Sequence, residues 1–227
     1  MTHYSFIAAE AFAPVIAAWQ ARAMEALEII GLAGSISLLA GWRLYLCLFV
    51  TGLGMRLGWI ELPTHLASLS VLANPWVMSA ALAGSIAEFL ADKVMWLDSV
   101  WDAIHTLVRP VGGALLALAI VDANDPAWQM LSFLLGGGGA FVMHAAKASS
   151  RALVNASPEP VSNVLVSGFE DFASGGLLAV ALVHPIAAIV VAVLLLACAF
   201  ALIIVARRAM KALLRAGRPL PKAAGKP

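Results

Sequence analysis

The feature that most constrains this chain is a series of six apolar segments, each close to the roughly 20 residues that cross a bilayer core. They cover approximately residues 30–57, 75–91, 99–121, 127–146, 161–182 and 185–206, with short loops between them. Apolar residues make up 62% of the sequence and charged residues only 12%, which is too few to cover the surface of a soluble domain. The sequence therefore predicts an all-α, polytopic integral membrane protein with about six transmembrane helices.

The two ends of the chain differ from this predicted transmembrane bundle, which covers residues 29–206. Residues 1–28 mix apolar side chains with Glu10, Arg22 and Glu28, which is typical of an amphipathic segment lying on the membrane surface. The tail, residues 207–227, holds seven of the 14 Lys and Arg residues and none of the 13 acidic residues. We expect this basic tail to be cytoplasmic and to attract anionic lipid.

The distribution of basic residues predicts the orientation, because Lys and Arg accumulate in cytoplasmic loops. If the tail is cytoplasmic, alternation of six spans places Arg22, Lys93, Lys147 and Arg151 on the same side. No cleavable signal is apparent at the start of the chain. These features predict a membrane protein with both termini in the cytoplasm.

A weak internal repeat relates the second and third spans to the fourth and fifth. The segment 84–93 resembles 138–147, and each segment is followed by polar residues spaced by four, four and three positions. Such spacing puts the polar residues on one face of each helix. Pro110 and a glycine pair follow the first stripe, and Ser174 and a second glycine pair follow the other. We expect both spans to be interrupted there, at 109–113 and 172–176.

Charged side chains at membrane depth are candidates for a solute path, because they are costly unless they are paired or hydrated. Arg109 lies at a depth similar to that of Glu170 and Asp171, so we expect these side chains to pair. The predicted path or gating residues are Arg43, Glu88, Asp98, Asp102, His105, Thr106, Arg109, Glu159, Asn163, Ser167, Glu170 and Asp171. A second group, at the inner loops, comprises Asp92, Lys93, Lys147 and Arg151.

Three blocks of sequence resemble successive signatures of one bacterial membrane-protein family. They are GLAGSISLLAGWRLYL, EFLADKVMWLDSVWDAIHTLVRPVGGALL and HAAKASSRALVNASPEPVSNVLVSGFED. The family is domain of unknown function four-one-two-six, and the resemblance covers roughly residues 30–182. It implies a compact multi-span bundle of unassigned activity in the bacterial inner membrane. It also implies family residues at Arg43, Asp92, Lys93, Asp98, Arg109, Asn155, Asn163, Glu170 and Asp171, while Met95 stands where the family usually has Pro.

Other chemistries have weaker support in the sequence. Glu88 and Asp92 share a helical face and, with His105 or His144, form a weak candidate for a divalent metal site or a proton relay. No Gly-x-Ser-x-Gly motif is present, so the sequence favours a protein that is not an enzyme. It contains no cofactor motif and no support for nucleic-acid binding. An oligomer of identical chains is compatible with the sequence.

Two functions remain open from the sequence. The first is a small transporter or channel for an ion or a small polar solute, with a polar path between the two interrupted helices. The alternative is a non-catalytic membrane scaffold or assembly factor whose buried charges are structural. A hydrated cavity reaching Arg109 and Glu170 would favour transport, whereas a dry and fully paired cluster would favour the scaffold.

Overall fold

The structure, a computed structural model, describes residues 2–58, 64–121, 125–155 and 160–216, with only the backbone given for most of residues 2–25 and at a few other positions. Within these ranges the fold is all-helical. The helices are α1 Thr2–Arg56, α2 Pro75–Ala91, α3 Met95–Val121, α4 Pro126–Asn155, α5 Pro160–Val183 and α6 Pro185–Ala216, with a 3₁₀ helix at Thr64–Ala73. The fold confirms the all-α prediction.

Proline sets where four of these helices begin. Helices α2, α4, α5 and α6 each start with Pro, which lacks the N–H that a first-turn residue would leave unbonded. Asn74 caps α2, since its side-chain oxygen accepts a hydrogen bond from Trp76 N at 2.9 Å. Asp125 caps α4 in the same way, through Ala127 N at 2.7 Å. The short connections predicted between the spans follow from these sharp starts.

In the described part of the chain, four helices contain a stretch long and apolar enough to cross a membrane: Ala26–Arg56, Trp96–Val121, Val164–Val183 and Ile186–Ala212. Helix α2 is apolar but shorter, with 17 residues, and α4 is long but carries more polar residues. Large apolar side chains such as Leu107, Leu135 and Phe172 point outward and are more than 70% exposed. An outward apolar surface of this kind needs lipid around it, so the protein is a polytopic membrane protein.

Helix α1 is the centre of the bundle and packs against all five other helices. Its backbone departs from helical geometry at Arg43, where φ is −141° and ψ is 75°. The first span, predicted over residues 30–57, is therefore kinked near its middle. Before the kink, α1 meets α3 at Ser37 and α6 at Gly34; after it, α1 meets α2 at Tyr45 and Gly52.

The first span begins at the end of the bundle opposite to the one predicted. Ile30 lines one cleft together with Val121 and Trp128, and a Cβ at Gly31 would meet Ile189 near the start of α6. We call this end, where α3 joins α4 and α5 joins α6, the apolar end. The other end is the charged end, where α2 joins α3 and α4 approaches α5. The expectation that the start of the first span shares a side with Lys93 and Lys147 is therefore wrong.

Small residues allow close helix packing in the apolar half of the bundle. A Cβ at Gly41 would overlap the backbone of Ala140 in α4, and one at Gly113 would overlap the Ala140 side chain. A Cβ at Gly136 would likewise overlap Ala117. Within the glycine run 136–139, Gly136 therefore serves close packing, since its neighbours leave no space for a larger side chain.

The predicted interruptions of the third and fifth spans are wrong, because α3 continues through Pro110 and α5 continues through the glycine pair at 175–176. In α5 the Ser174 hydroxyl donates to the carbonyl of Glu170 at 2.6 Å, which keeps this side chain within its own helix. Two glycines cost a helix only about 2 kcal/mol. That cost is too small to break a helix surrounded by tertiary contacts.

The structure describes only parts of the two terminal segments, the N-terminal segment 1–28 and the basic tail 207–227. The backbone of α1 is helical from Thr2, so the amphipathic segment 1–28 continues directly into the first span, and its place on the membrane surface stays a prediction. Helix α6 runs on to Ala216, so the first residues of the basic tail extend the last helix. Residues 217–227 lie outside the described ranges. The internal repeat also stays a prediction.

Candidate functional site: a buried charge network

Eleven charged side chains meet in the half of the bundle nearer the charged end. The acidic members are Glu88, Asp92, Asp98, Asp102, Glu170 and Asp171, and the basic members are Arg43, Lys93, Arg109, Lys147 and Arg151. We call this set the charge network. In α3 it extends from Asp98 to Arg109, which is about 16 Å along the helix axis. The network therefore covers somewhat less than half of the length of α3.

Lys147 of α4 is the central cation of the network. Its Nζ lies 3.1 Å from Asp92 Oδ2, 3.7 Å from Glu88 Oε1 and 4.0 Å from Asp102 Oδ1. The Lys147 side chain is fully buried. Three carboxylates from α2 and α3 therefore compensate a charge that could not otherwise be buried.

Arg43 of α1 connects the network to α5. Its guanidinium pairs with Asp92 through NH1, and its NH2 lies 2.9 Å from Asp171 and 3.5 Å from Glu170. NH2 also donates to the carbonyl of Ser167 at 3.3 Å. The kink of α1 at this residue thus coincides with the point where α1 ties α5 to the end of α2.

Arg109 pairs differently from the prediction. Its NH2 lies 2.5 Å from Glu88 Oε1, and its NH1 lies 3.4 Å from Asp102 Oδ1. The predicted partners Glu170 and Asp171 pair with Arg43 instead. The membrane depth inferred from the sequence could not tell which carboxylates pair with Arg43 and which with Arg109. The partners depend on which helices are neighbours, and α3 packs on α4 while α5 packs on α1 and α6.

His144, which the sequence analysis named only in the weak metal or proton-relay candidate, belongs to this site. It is 2% exposed, and its Nδ1 lies 2.7 Å from Arg109 NH1. Since Arg109 can only donate, Nδ1 accepts and Nε2 carries the proton. Nε2 then lies 3.1 Å from the Asp102 carbonyl and 3.2 Å from Thr106 Oγ1. The imidazole is neutral in this arrangement.

Arg151 and Lys93 complete the network at the charged end. Arg151 Nε lies 3.3 Å from Asp98 Oδ2, and Arg151 also donates to the carbonyl of Asp92. Lys93 donates to Ser167 Oγ at 3.0 Å and lies over the Phe89 ring. Burial by itself would raise the pKa of the Asp92 carboxyl, but Lys147, Arg43 and Arg151 hold it below its usual range, at about 2.

His105, predicted as a candidate for a proton-linked role, lies beside the network rather than within it. Its Nε2 is 3.0 Å from the Tyr45 hydroxyl, its Nδ1 is 2.7 Å from the Trp101 carbonyl, and its ring stacks on Trp101. Tyr45 had no signal in the sequence, because an aromatic residue in an apolar run is ordinarily a packing residue. The Thr106 hydroxyl donates to the Asp102 carbonyl at 2.9 Å.

Two cavities touch the charge network from different faces. One, of about 500 Å³, lies between α3 and α4 and is lined by Asp98, Asp102, Thr106 and Arg151. The other, of about 240 Å³, lies between α1, α2 and α5 and is lined by Arg43, Ser85, Glu88, Phe89 and Asp171 among others. Arg109 and Glu170 line neither of them, so the cavities reach the neighbours of these two residues and not the residues themselves.

The network has an excess of acid. Among the described residues it contains six carboxylates and five basic side chains, so its formal charge is −1 with both histidines neutral. Several buried carboxylate oxygens also lack a hydrogen-bond donor among the described residues: Glu88 Oε2, Asp102 Oδ1, Glu170 Oε2 and Asp171 Oδ2. These oxygens have unused capacity to accept a proton or a cation.

Two predicted residues cannot be placed at the site. Glu159 lies outside the described residues, and so does the side chain of Asn163, although its backbone belongs to α5. The weak prediction of a divalent metal at Glu88 and Asp92 with His105 or His144 is also not supported, since both ring nitrogens of each histidine already have hydrogen-bond partners. No group of three or more His, Cys, Asp or Glu side chains suited to a metal occurs in the part of the chain that the structure describes.

Comparison with known proteins agrees with the resemblance seen in the sequence blocks. The profile of the family described as domain of unknown function (DUF4126) matches residues 30–205. The chain belongs to this family. The match spans all eleven residues of the charge network, which lie between Arg43 and Asp171. No curated protein and no solved structure matches the chain.

Proposed function

We propose that this protein is a small membrane transporter or channel that moves a cation or a small polar solute along the charge network. The observation that supports the proposal most is the contact of the buried network with two cavities, one between α3 and α4 and one between α1, α2 and α5. The cavities reach Asp102 and Glu88, the carboxylate partners of Arg109, although they do not reach Arg109 itself. The formal charge of −1 favours a cation over an anion.

In the apolar half of the bundle the helices pack closely and would block the proposed solute path. There α1, α3 and α4 meet through glycine and alanine, at contacts such as those of Gly41 and Gly113 with Ala140. Transport needs these contacts to separate, either transiently or in a second conformation. Contacts between small residues bury little side-chain surface, so their separation is less costly than that of interlocked large side chains.

The basic residues favour an orientation in which the charged end faces the cytoplasm of a bacterial inner membrane. Lys93, Lys147 and Arg151 lie at or near that end, and α6 leads the basic tail toward it. Positive side chains near span ends are retained on the cytoplasmic side. The cavities beside the network would then open from the cytoplasmic half of the membrane.

The alternative is a non-catalytic scaffold or assembly factor, and one observation favours it. The Arg109 side chain is 0% exposed and lies within reach of Glu88, Asp102 and His144, as a structural ion pair would. In a scaffold the network would fix the helices in place, and the outer surface would bind a partner protein.

Flux measurements on the purified protein in liposomes distinguish the two functions. We expect a gradient-driven flux of protons, sodium, potassium or ammonium that Asp102→Asn reduces at least tenfold, because Asp102 lies both in the network and on a cavity wall. Glu28→Gln removes a carboxylate outside the network and serves as the matched control, with flux unchanged. Folded protein that conducts none of these ions or small polar solutes would refute transport and favour the scaffold.

A further inference from the structure

We infer that the cleft between α1, α2 and α5 binds a small monovalent cation, with oxygens of Ser85, Glu88 and Asp171 as its ligands. These three side chains line the cavity of about 240 Å³. Each has a buried oxygen that receives no hydrogen bond from the described residues, namely Ser85 Oγ, Glu88 Oε2 and Asp171 Oδ2. The inference deepens the proposed transport function, because it names the class of solute and where the solute binds.

These three oxygens are unfavourably placed, because they are buried and accept no hydrogen bond from the described residues. Glu88 is 1% exposed, and its other oxygen, Oε1, already lies beside Arg109 and Lys147. Asp171 uses Oδ1 for Arg43 at 2.9 Å, whereas its Oδ2 lies 4.0 Å from Lys93 Nζ, beyond hydrogen-bond distance. A buried acceptor without a partner is unfavourable, because it has given up its hydrogen bonds to water and received none in return. A cation in the cleft would offer these acceptors the partner that the described residues do not provide.

Charge selects a monovalent ligand. One positive charge brings the described network from −1 to neutral, whereas a divalent ion would leave it at +1 beside the guanidinium of Arg43, which lines the same cleft. Carboxylate and hydroxyl oxygens are ligands for hard cations, not for the softer transition metals. The volume allows a cation to keep several of its waters.

Thermal unfolding of the full-length protein in detergent tests the site. Sodium, potassium and ammonium chloride are each titrated against choline chloride at equal ionic strength, since choline is too large for the cleft. We expect a saturable rise in the unfolding midpoint with at least one small cation. Ser85→Ala should raise the half-saturating concentration about tenfold, because it removes a ligand without breaking an ion pair.

The matched control is Ser79→Ala, which removes an exposed hydroxyl from the same helix about two turns away and should leave the titration unchanged. No saturable difference from choline, or equal titrations for Ser85→Ala and the native protein, would overturn the site. Saturable binding without flux in liposomes would leave the site standing and refute transport. Flux in liposomes without saturable binding would support transport and refute the site.

Discussion

The pairing of Arg109 with Glu88 can be tested by a double-mutant cycle in which Arg109→Met and Glu88→Met are made singly and together. At a separation of 2.5 Å and an effective dielectric constant of about 20, the gross attraction of the pair is about 7 kcal/mol. Most of this gross energy offsets the cost of removing both charges from water. The net effect of each change therefore depends on what charge remains buried afterwards.

Each single variant leaves a buried charge with fewer partners. Removal of one partner from a buried pair typically costs about 3–5 kcal/mol. After Arg109→Met, Glu88 keeps Lys147 at 3.7 Å, so we expect a loss of about 3 kcal/mol in the free energy of unfolding. After Glu88→Met, Arg109 keeps Asp102 at 3.4 Å, and a similar loss is expected. The double variant should lose about 3 kcal/mol in total, which gives a coupling free energy of about 3 kcal/mol.

Reversible unfolding by a denaturing detergent in mixed micelles measures these free energies. The control cycle combines Arg109→Met with Asp171→Asn, because Asp171 pairs with Arg43 and not with Arg109. We expect the control pair to couple by less than about 1 kcal/mol. Additive losses for Arg109 with Glu88, or a larger coupling for Arg109 with Asp171, would refute the assignment of partners.

Two further predictions concern packing and orientation. Gly41→Ala should lower the free energy of unfolding by about 3 kcal/mol in the same detergent assay, because its Cβ would overlap the backbone of α4. Gly138→Ala is the control. Its Cβ would meet open space, so this change should be neutral or stabilising by up to about 1 kcal/mol. The orientation is tested with single cysteines introduced after both native cysteines have been replaced by serine. Cysteines at Ala26 and Ala127 should react with an impermeant maleimide added on one side of the membrane. A cysteine at Val94 should react with the same maleimide only from the other side. Reaction of Ala26→Cys from the same side as Val94→Cys would show that α1 enters from the charged end.

The sequence by itself determined the class of fold. Apolar segments of membrane-spanning length leave no alternative to helices, since a bilayer core offers no water to satisfy an open backbone. Proline at the first position of four helices fixed where those helices start, and the unusual number of charges at membrane depth identified most of the network. These features are local, because they depend on composition and spacing within a single segment.

Tertiary structure alone decided which charges pair and where the chain enters the bundle. Arg43 and Arg109 are both membrane-depth arginines, and nothing local tells which one meets Glu170 and which one meets Glu88. The expected breaks after Arg109 and at Ser174 failed for a related reason. Contacts with neighbouring helices can offset the local cost of a proline or a glycine pair, and those contacts join residues far apart in the sequence.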